Sequence, residues 1–288
     1  MGWENFGANA VKKLLSENGF HFSKSMGQNF LIDANISEKL AKRSGIDHSC
    51  GVLEIGPGLG ALTSTLSRFA GRITAVELDR RLIPILRESL AVSENVEIVQ
   101  GDALKLDVVD FVKTKMPGMR YHVCANLPYN ITTPVLTMLI NSEVFESITV
   151  MVQREVARRI CAGPGSSDYS SFSVFVNYYT EPETLFDVPP ECFLPRPGVF
   201  SSVVKMKART DRLLKREDEA FFSRVVRAAF EQRRKTLVNA LFTAFNSALD
   251  KENIEGIVRN CGFDTRIRGE MLGTHEFARL SEAIKSKI

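Results

Sequence analysis

Asn126-Leu127-Pro128-Tyr129 offers the most specific chemistry in this 288-residue chain. An exocyclic ring amine is a poor nucleophile because its lone pair is delocalised into the ring. The Asn126 amide oxygen and the Leu127 carbonyl can each accept one amino hydrogen, which localises that lone pair toward a methyl donor. Pro128 fixes the backbone so that the carbonyl points inward, and Tyr129 offers a ring for a base to stack on. A base in such a pocket has left its helix or loop stack. Catalysis then rests on in-line positioning of amine, methyl carbon and sulfonium rather than on a strong general base. Transfer neutralises the sulfonium, so a dry, weakly polar pocket favours it. Alone, the tetrapeptide is an ordinary Asn-Pro turn; the motifs before it give it weight.

Glu54-Ile-Gly-Pro-Gly-Leu-Gly60 follows an apolar strand pattern and precedes a helical one. Its glycines permit a tight turn and close approach of a ligand to the backbone at the carboxyl edge of a parallel sheet. Glu77 comes 21 residues after Gly56, in position to accept hydrogen bonds from ribose hydroxyls. Gly56, Gly58 and Ala61 also satisfy G-x-G-x-x-A, so this much fits a nicotinamide enzyme as well as a methyltransferase. Glu54 and Pro57 disfavour a pyrophosphate there, and Gly101-Asp102-Ala103 places a carboxylate where it can take an adenine amino group.

These motifs need a scaffold, and the chain patterns for one. Strand-like runs at Gly51–Ile55, Arg72–Glu77, Val96–Val99, Tyr121–Ala125 and Ser147–Val152 are separated by helical patterns such as Ala61–Phe69 and Arg80–Leu90. That alternation predicts an α/β fold with a parallel sheet covered by helices on both faces. Residues 170–179 fit either period; Glu183–Val188 and Phe200–Lys207 read as strands. From Asp211 the pattern is helical to the end. The expected domains are 1–209 and 210–288.

Hydrophobic content of 44% and charged content of 25% exclude disorder and collagen-like repeats. Cys50, Cys124, Cys161, Cys192 and Cys261 are odd in number with no Cys-x-x-Cys pair, which points to a reducing, cytoplasmic setting without a disulfide framework. Cys124 as a cytosine-methylating nucleophile is the weaker reading against a buried strand cysteine. His21, His48, His122 and His275 show no metal spacing, so no metal is expected. The first six residues lack a signal core, and Phe6 stands where a myristoylation signal has Ser or Thr. The uncharged run Tyr121–Ser142 has the length of a membrane span, but its three Asn and two Pro make it a folded segment.

The net charge of +3 divides unevenly. Residues 205–288 hold 18 Lys+Arg and 12 Asp+Glu, leaving 19 and 22 before them. At about 100° per residue, Arg224, Arg227, Glu231, Arg234 and Lys235 share one helix face opposite Phe222, Val225, Val226 and Ala229. This is a candidate RNA-binding stripe. Arg233 falls on the apolar side, so either the helix breaks near Gln232–Thr236 or Arg233 reaches an acidic partner.

Ser25-Met-Gly-Gln-Asn-Phe-Leu31, Glu54–Gly60, Glu77, Gly101-Asp102-Ala103, Asn126–Tyr129, Phe193-Leu-Pro-Arg-Pro197 and Phe230–Leu237 together resemble the ribosomal RNA adenine N6,N6-dimethyltransferases, most closely the bacterial small-subunit, KsgA-type branch. The resemblance runs from about residue 20 to the C-terminus. It implies a Rossmann-like class I methyltransferase sheet with a smaller helical C-terminal domain, S-adenosyl-L-methionine as donor and S-adenosyl-L-homocysteine as product. It also implies dimethylation of two adjacent adenosines near the 3′ end of small-subunit rRNA; the expected form is a monomer and the expected partner that rRNA within a pre-assembled subunit, with free RNA left open as the substrate.

By position it implies that Gln28, Asn29 and Leu31 close over the donor, that Gly56 and Gly58 contact it, that Glu77 and Leu78 take its ribose end, and that Asp102 and Ala103 take its adenine. Asn126 then faces both donor and target, and Phe193 stacks on the target base opposite Tyr129. The chain departs from the family pattern at Tyr169–Ser173 and at Gly198 and Phe200, where the family commonly has Lys and then Asp. The rival activity is large-subunit adenine dimethylation of the macrolide-resistance type. The other rivals are a binding protein that has lost catalysis and a nicotinamide oxidoreductase.

Overall fold

The computed structural model describes residues 8–20 and 27–288; Phe6, His21, Ser25 and Met26, singled out above, lie outside them. The chain opens with α1 (Ala8–Glu17), β1 (Phe30–Leu31) and α2 (Ala34–Ser44). It then alternates through β2 (Cys50–Ile55), α3 (Ala61–Leu66), β3 (Arg72–Glu77), α4 (Ile83–Ser89), β4 (Val96–Gln100), α5 (Val108–Lys115), β5 (Arg120–Asn126), α6 (Thr132–Ser142) and β6 (Ser147–Gln153). After α7 (Arg154–Cys161) and α8 (Ser171–Tyr179) come β7 (Thr180–Val188), β8 (Phe193–Leu194) and β9 (Ser201–Ala208). The helices α9 (Glu219–Glu231), α10 (Leu237–Phe245), α11 (Lys251–Asn260) and α12 (Thr274–Lys285) follow.

Two compact units result. One holds the described residues up to Ala157 together with Glu183–Ala208; the other holds Arg158–Pro182 and Arg209–Ile288. The later crossing, after Ala208, falls beside the boundary expected at 209/210. The earlier excursion does not follow the sequence reading, which left residues 158–182 in the first domain.

The sheet of the first unit runs β4-β3-β2-β5-β6-β9-β7. The strands from β4 to β6 pair in parallel. All six residues of β2 are buried, as expected of a parallel strand covered on both faces, which needs a continuous apolar run. From β2 the chain passes first outward to β3 and later back to β5 on the other side. The gap above the carboxyl ends of β2 and β5 is therefore the topological switch point where ligands bind in such sheets. β9 runs antiparallel to β6, with Ser201 opposite Gln153. β9 and β7 thus form one edge of a mixed sheet whose other strands are parallel.

In the second unit the ambiguous run 170–179 is a helix. Its start is fixed by a reciprocal capping box between Ser170 and Ser173, and Val174 and Tyr178 join the core of that unit with Phe222, Leu241, Phe245 and Phe277. Tyr169 donates its hydroxyl to the Leu272 carbonyl at 2.9 Å. The stripe of α9 ends earlier than the sequence implied. The helix stops at Glu231, and Thr236 caps the next by accepting the Asn239 N–H. Arg234 and Lys235 thus lie in the intervening turn, not on the same helix face. Both readings of Arg233 hold, since the helix breaks and its guanidinium reaches Glu270 at 3.2 Å.

No helix among the described residues is long and apolar enough to cross a membrane. The uncharged run Tyr121–Ser142 is β5, a loop and α6.

Candidate active site

One cavity above β2 and β5 is lined by Gln28, Asn29, Leu31, Gly56, Gly58, Glu77, Leu78, Asp102, Ala103, Asn126, Leu127, Pro128 and Tyr129. Every residue assigned above to the donor, and the whole Asn126–Tyr129 loop, are brought together.

The glycine loop is shaped by two close approaches. Gly56 has φ +70 and Gly58 φ +61, left-handed values that favour glycine. A Cβ on Gly58 would lie 2.8 Å from the ring of Phe30, and one on Gly56 3.2 Å from Pro128. The loop is also tied to β3. Glu77 Oε2 accepts the Gly58 N–H at 3.1 Å and Oε1 accepts the Asp79 N–H at 2.8 Å. Each oxygen retains a second lone pair for a ribose hydroxyl. Burial raises the Glu77 carboxyl above its ordinary range, while these N–H groups pull it back down.

Glu54, only 1% exposed, has no partner for Oε2 among the described residues. Burial pushes it up to about 8, and the Glu77 charge adds to the rise. A buried carboxylate facing a cavity fits a cationic ligand, since an opposite charge there offsets the desolvation that raises it.

Leu78, 51% exposed, is an apolar side chain held at the cavity wall. Asp102 caps the turn at Ala103–Lys105 by accepting the Leu104 N–H at 3.1 Å.

Asn126 ends β5. Its Nδ2 donates to the Asn29 carbonyl at 3.0 Å. The amide is thereby oriented with its oxygen uncommitted among the described residues, and the Leu127 carbonyl likewise accepts no hydrogen bond there. The Leu127 N–H donates to Met151 at 3.2 Å, fixing the loop to β6. Tyr129 shares a 2.7 Å hydrogen bond with Ser201 Oγ on β9.

Phe193 departs from the expectation. It is 2% exposed, packs in the core with Leu31, Cys192 and Val188, and does not line the cavity. The antiparallel pairing of β1 with β8 places Phe193 opposite Leu31, so its apolar ring is taken up by the core and helps to seat the Leu31 segment. Arg224, Arg227, Arg234 and Lys235 lie in the second unit, all exposed. None of the four pairs with a carboxylate among the described residues. Arg224 is held by stacking 4.5 Å from the Phe245 ring centre and by donating to the Ala244 carbonyl.

Sequence reasoning missed two supports. Asp79 joins Gln28 Nε2 at 3.0 Å and the Arg81 guanidinium at 2.6 Å, latching the Gln28 segment to the end of β3. Ser201 anchors Tyr129 from 72 residues away. A lone Ser at the start of a strand carries no signal of this; Asp79, two residues beyond Glu77, was the more readable.

Cys124 is fully buried, and burial holds its thiol well above the ordinary range, so it is a core cysteine rather than a nucleophile. Among the described residues no His, Cys, Asp and Glu group could hold a metal ion.

The chain is 44% identical over 278 residues to the ribosomal RNA small subunit methyltransferase A of Geobacillus sp. (strain WCH70), covering 96% of each chain. It is 44% identical over 277 residues to that of Shouchella clausii, covering 96% and 94%. Among solved structures, a dimethyladenosine transferase from Plasmodium falciparum superposes with a TM-score of 0.78 at 25% identity, over 90% of this chain and 98% of that one. The 23S rRNA methyltransferase ErmE shares the fold, with a TM-score of 0.71 at 24% identity over 89% and 100%. The model for the ribosomal RNA adenine dimethylases matches residues 19–278, which span the glycine loop, the Asn126 loop and nearly all of the helical unit, and the chain belongs to that family.

Proposed function

We propose that this protein dimethylates the N6 amines of two adjacent adenosines near the 3′ end of small-subunit rRNA, acting as a monomer on a pre-assembled subunit. The observation that carries the reading is the shared cavity. It joins a glycine loop and buried carboxylates suited to a cationic nucleoside with an Asn-Leu-Pro-Tyr loop whose acceptors are uncommitted. S-adenosyl-L-methionine supplies an electrophilic methyl group when bound.

The chain's own residues do the rest. The Gly56 and Gly58 backbone, Glu77, Leu78 and Asp102 hold the nucleoside end of the donor, with Gln28, Asn29 and Leu31 over it. Asn126 Oδ1 and the Leu127 carbonyl accept the two amine hydrogens and turn the lone pair toward the methyl group. Tyr129, steadied by Ser201, stacks on the extruded base. Mutual orientation of this kind is worth several kcal/mol of barrier, about 7 to 11 in well-oriented intramolecular reactions. Arg224, Arg227, Arg234 and Lys235 contact rRNA phosphates through the second unit.

The small-subunit choice is supported by relatives of that name that match 96% of the chain. Methyl transfer from labelled donor to unmethylated small subunits, free small-subunit rRNA and large-subunit rRNA tests it. Labelling of adjacent adenosines in the small-subunit material is expected. Labelling of large-subunit RNA alone would overturn it.

A further inference from the structure

The residue before Ser201 has an exposed ring. Phe200 is 39% exposed and the neighbouring Val199 48%. The Arg154 guanidinium lies 4.7 Å from the Phe200 ring centre, and the Arg154 N–H donates to the Phe200 carbonyl at 2.9 Å. Arg154 is itself 41% exposed at the side chain; its only carboxylate among the described residues is Asp187, at 3.9 Å, which also takes the Ser202 hydroxyl at 2.6 Å. A cation therefore steadies the ring, while part of the ring and part of the cation stay open to solvent.

Position gives this pair its meaning. Arg154 follows the carboxyl end of β6, and Ser201 begins β9 directly opposite Gln153. β6 is the neighbour of β5, so the pair stands on the same sheet edge as the Asn126 loop, one strand over. Ser201, which bonds Tyr129, is the next residue after Phe200.

We infer that Phe200, backed by Arg154, is a stacking platform for the nucleobase adjoining the target adenosine, with the Arg154 charge toward that nucleotide's phosphate. A ring beside a guanidinium is a sequence-tolerant surface for a base, since every base has a π-face. Extruding one of two adjacent adenosines unstacks its neighbour as well, and a platform here accepts the base that has lost its partner. The inference rests on the adenosine-methylation reading above.

The test uses the full chain and an RNA of the small-subunit 3′ region, free or reassembled into subunits, whichever the wild-type protein methylates. Two further RNAs carry an abasic nucleotide on the 5′ or the 3′ side of the target. Methylation of the intact RNA by the wild type checks the parent reading separately. Phe200→Ala is expected to raise the RNA KM about 10-fold, with kcat little changed and donor affinity, read by calorimetry, unchanged. Phe200→Trp should restore the KM. On one of the two abasic RNAs, wild type and Phe200→Ala should become equal. An unchanged KM in Phe200→Ala, or a loss of the same size on both abasic RNAs, would overturn the platform.

Discussion

Half-buried Asn126 and buried Glu54 illustrate two ways in which one polar group bears on what the cavity does. Asn126 is oriented by giving one amide hydrogen to Asn29, so truncation removes an acceptor without opening the glycine loop. Asn126→Ala is expected to bind donor with wild-type affinity in calorimetry while kcat falls about 100- to 1000-fold, the scale of losing one positioned polar group at the reacting centre. Retained methyl transfer would remove Asn126 from the chemistry. Glu54 acts through its proton. An unfolded carboxyl ionises near 4.5, whereas burial pushes the folded one up to about 8. Between those values the donor-free folded chain holds a proton that the unfolded chain has lost. This contribution to stability is fully present below about 4.5 and is lost as pH rises to about 8. Glu54→Gln should flatten the fall in unfolding free energy between pH 5 and pH 8, measured by denaturant titration without donor. A slope equal to that of the wild type would show that Glu54 is not protonated in the fold.

At the scale of elements, the loop between β2 and α3 is the piece with least freedom. Gly58 combines a left-handed φ with a ring 2.8 Å from where a Cβ would stand, and that ring belongs to buried Phe30. Gly58→Ala is expected to cost at least about 1 kcal/mol of stability from the backbone alone, and to weaken donor binding with it. A midpoint unchanged in urea would mean that the β1 segment yields freely. Much of this was legible beforehand: the strand–glycine–helix succession, the Glu77 spacing and the Asn126 loop are local patterns, and local patterns survive in sequence. Three features were not settled beforehand, two of them set by residues far apart in the chain and one, the end of α9, by a local choice that the sequence left open. Phe193 is claimed by the core through its pairing with Leu31. Arg234 and Lys235 leave the α9 face because Thr236 starts a new helix. Tyr129 is held by a serine on β9.

For the whole molecule, the observed units soften the charge contrast. Counted by unit, Arg158–Pro182 with Arg209–Ile288 carry 18 Lys+Arg and 14 Asp+Glu, or +4, leaving −1 for the remainder, where the split at residue 205 suggested +6 and −3. Several cations of the second unit are engaged, as in Arg209 with Glu181, Arg212 with Glu219 and Lys285 with Asp218. Arg224, Arg227, Arg234 and Lys235 pair with no carboxylate among the described residues, which is why the proposed rRNA contacts rest on these four rather than on bulk charge. Replacing Arg224, Arg227 and Arg234 by Gln should weaken rRNA binding and flatten its log–log salt dependence by up to about one unit per lost phosphate contact. An unchanged slope would leave them a solvated face. The excursion of Arg158–Pro182 into the second unit also bears on how the protein is made. On a translating ribosome, β9 emerges only after that segment, and with it Ser201, so the Asn126 loop gains its last anchor after most of the sheet has been synthesised. The same threading means that no single cut separates the units. Cleavage after Ala208 severs the α8 segment from the helices whose core it completes, so the second unit cannot be released whole by one cut.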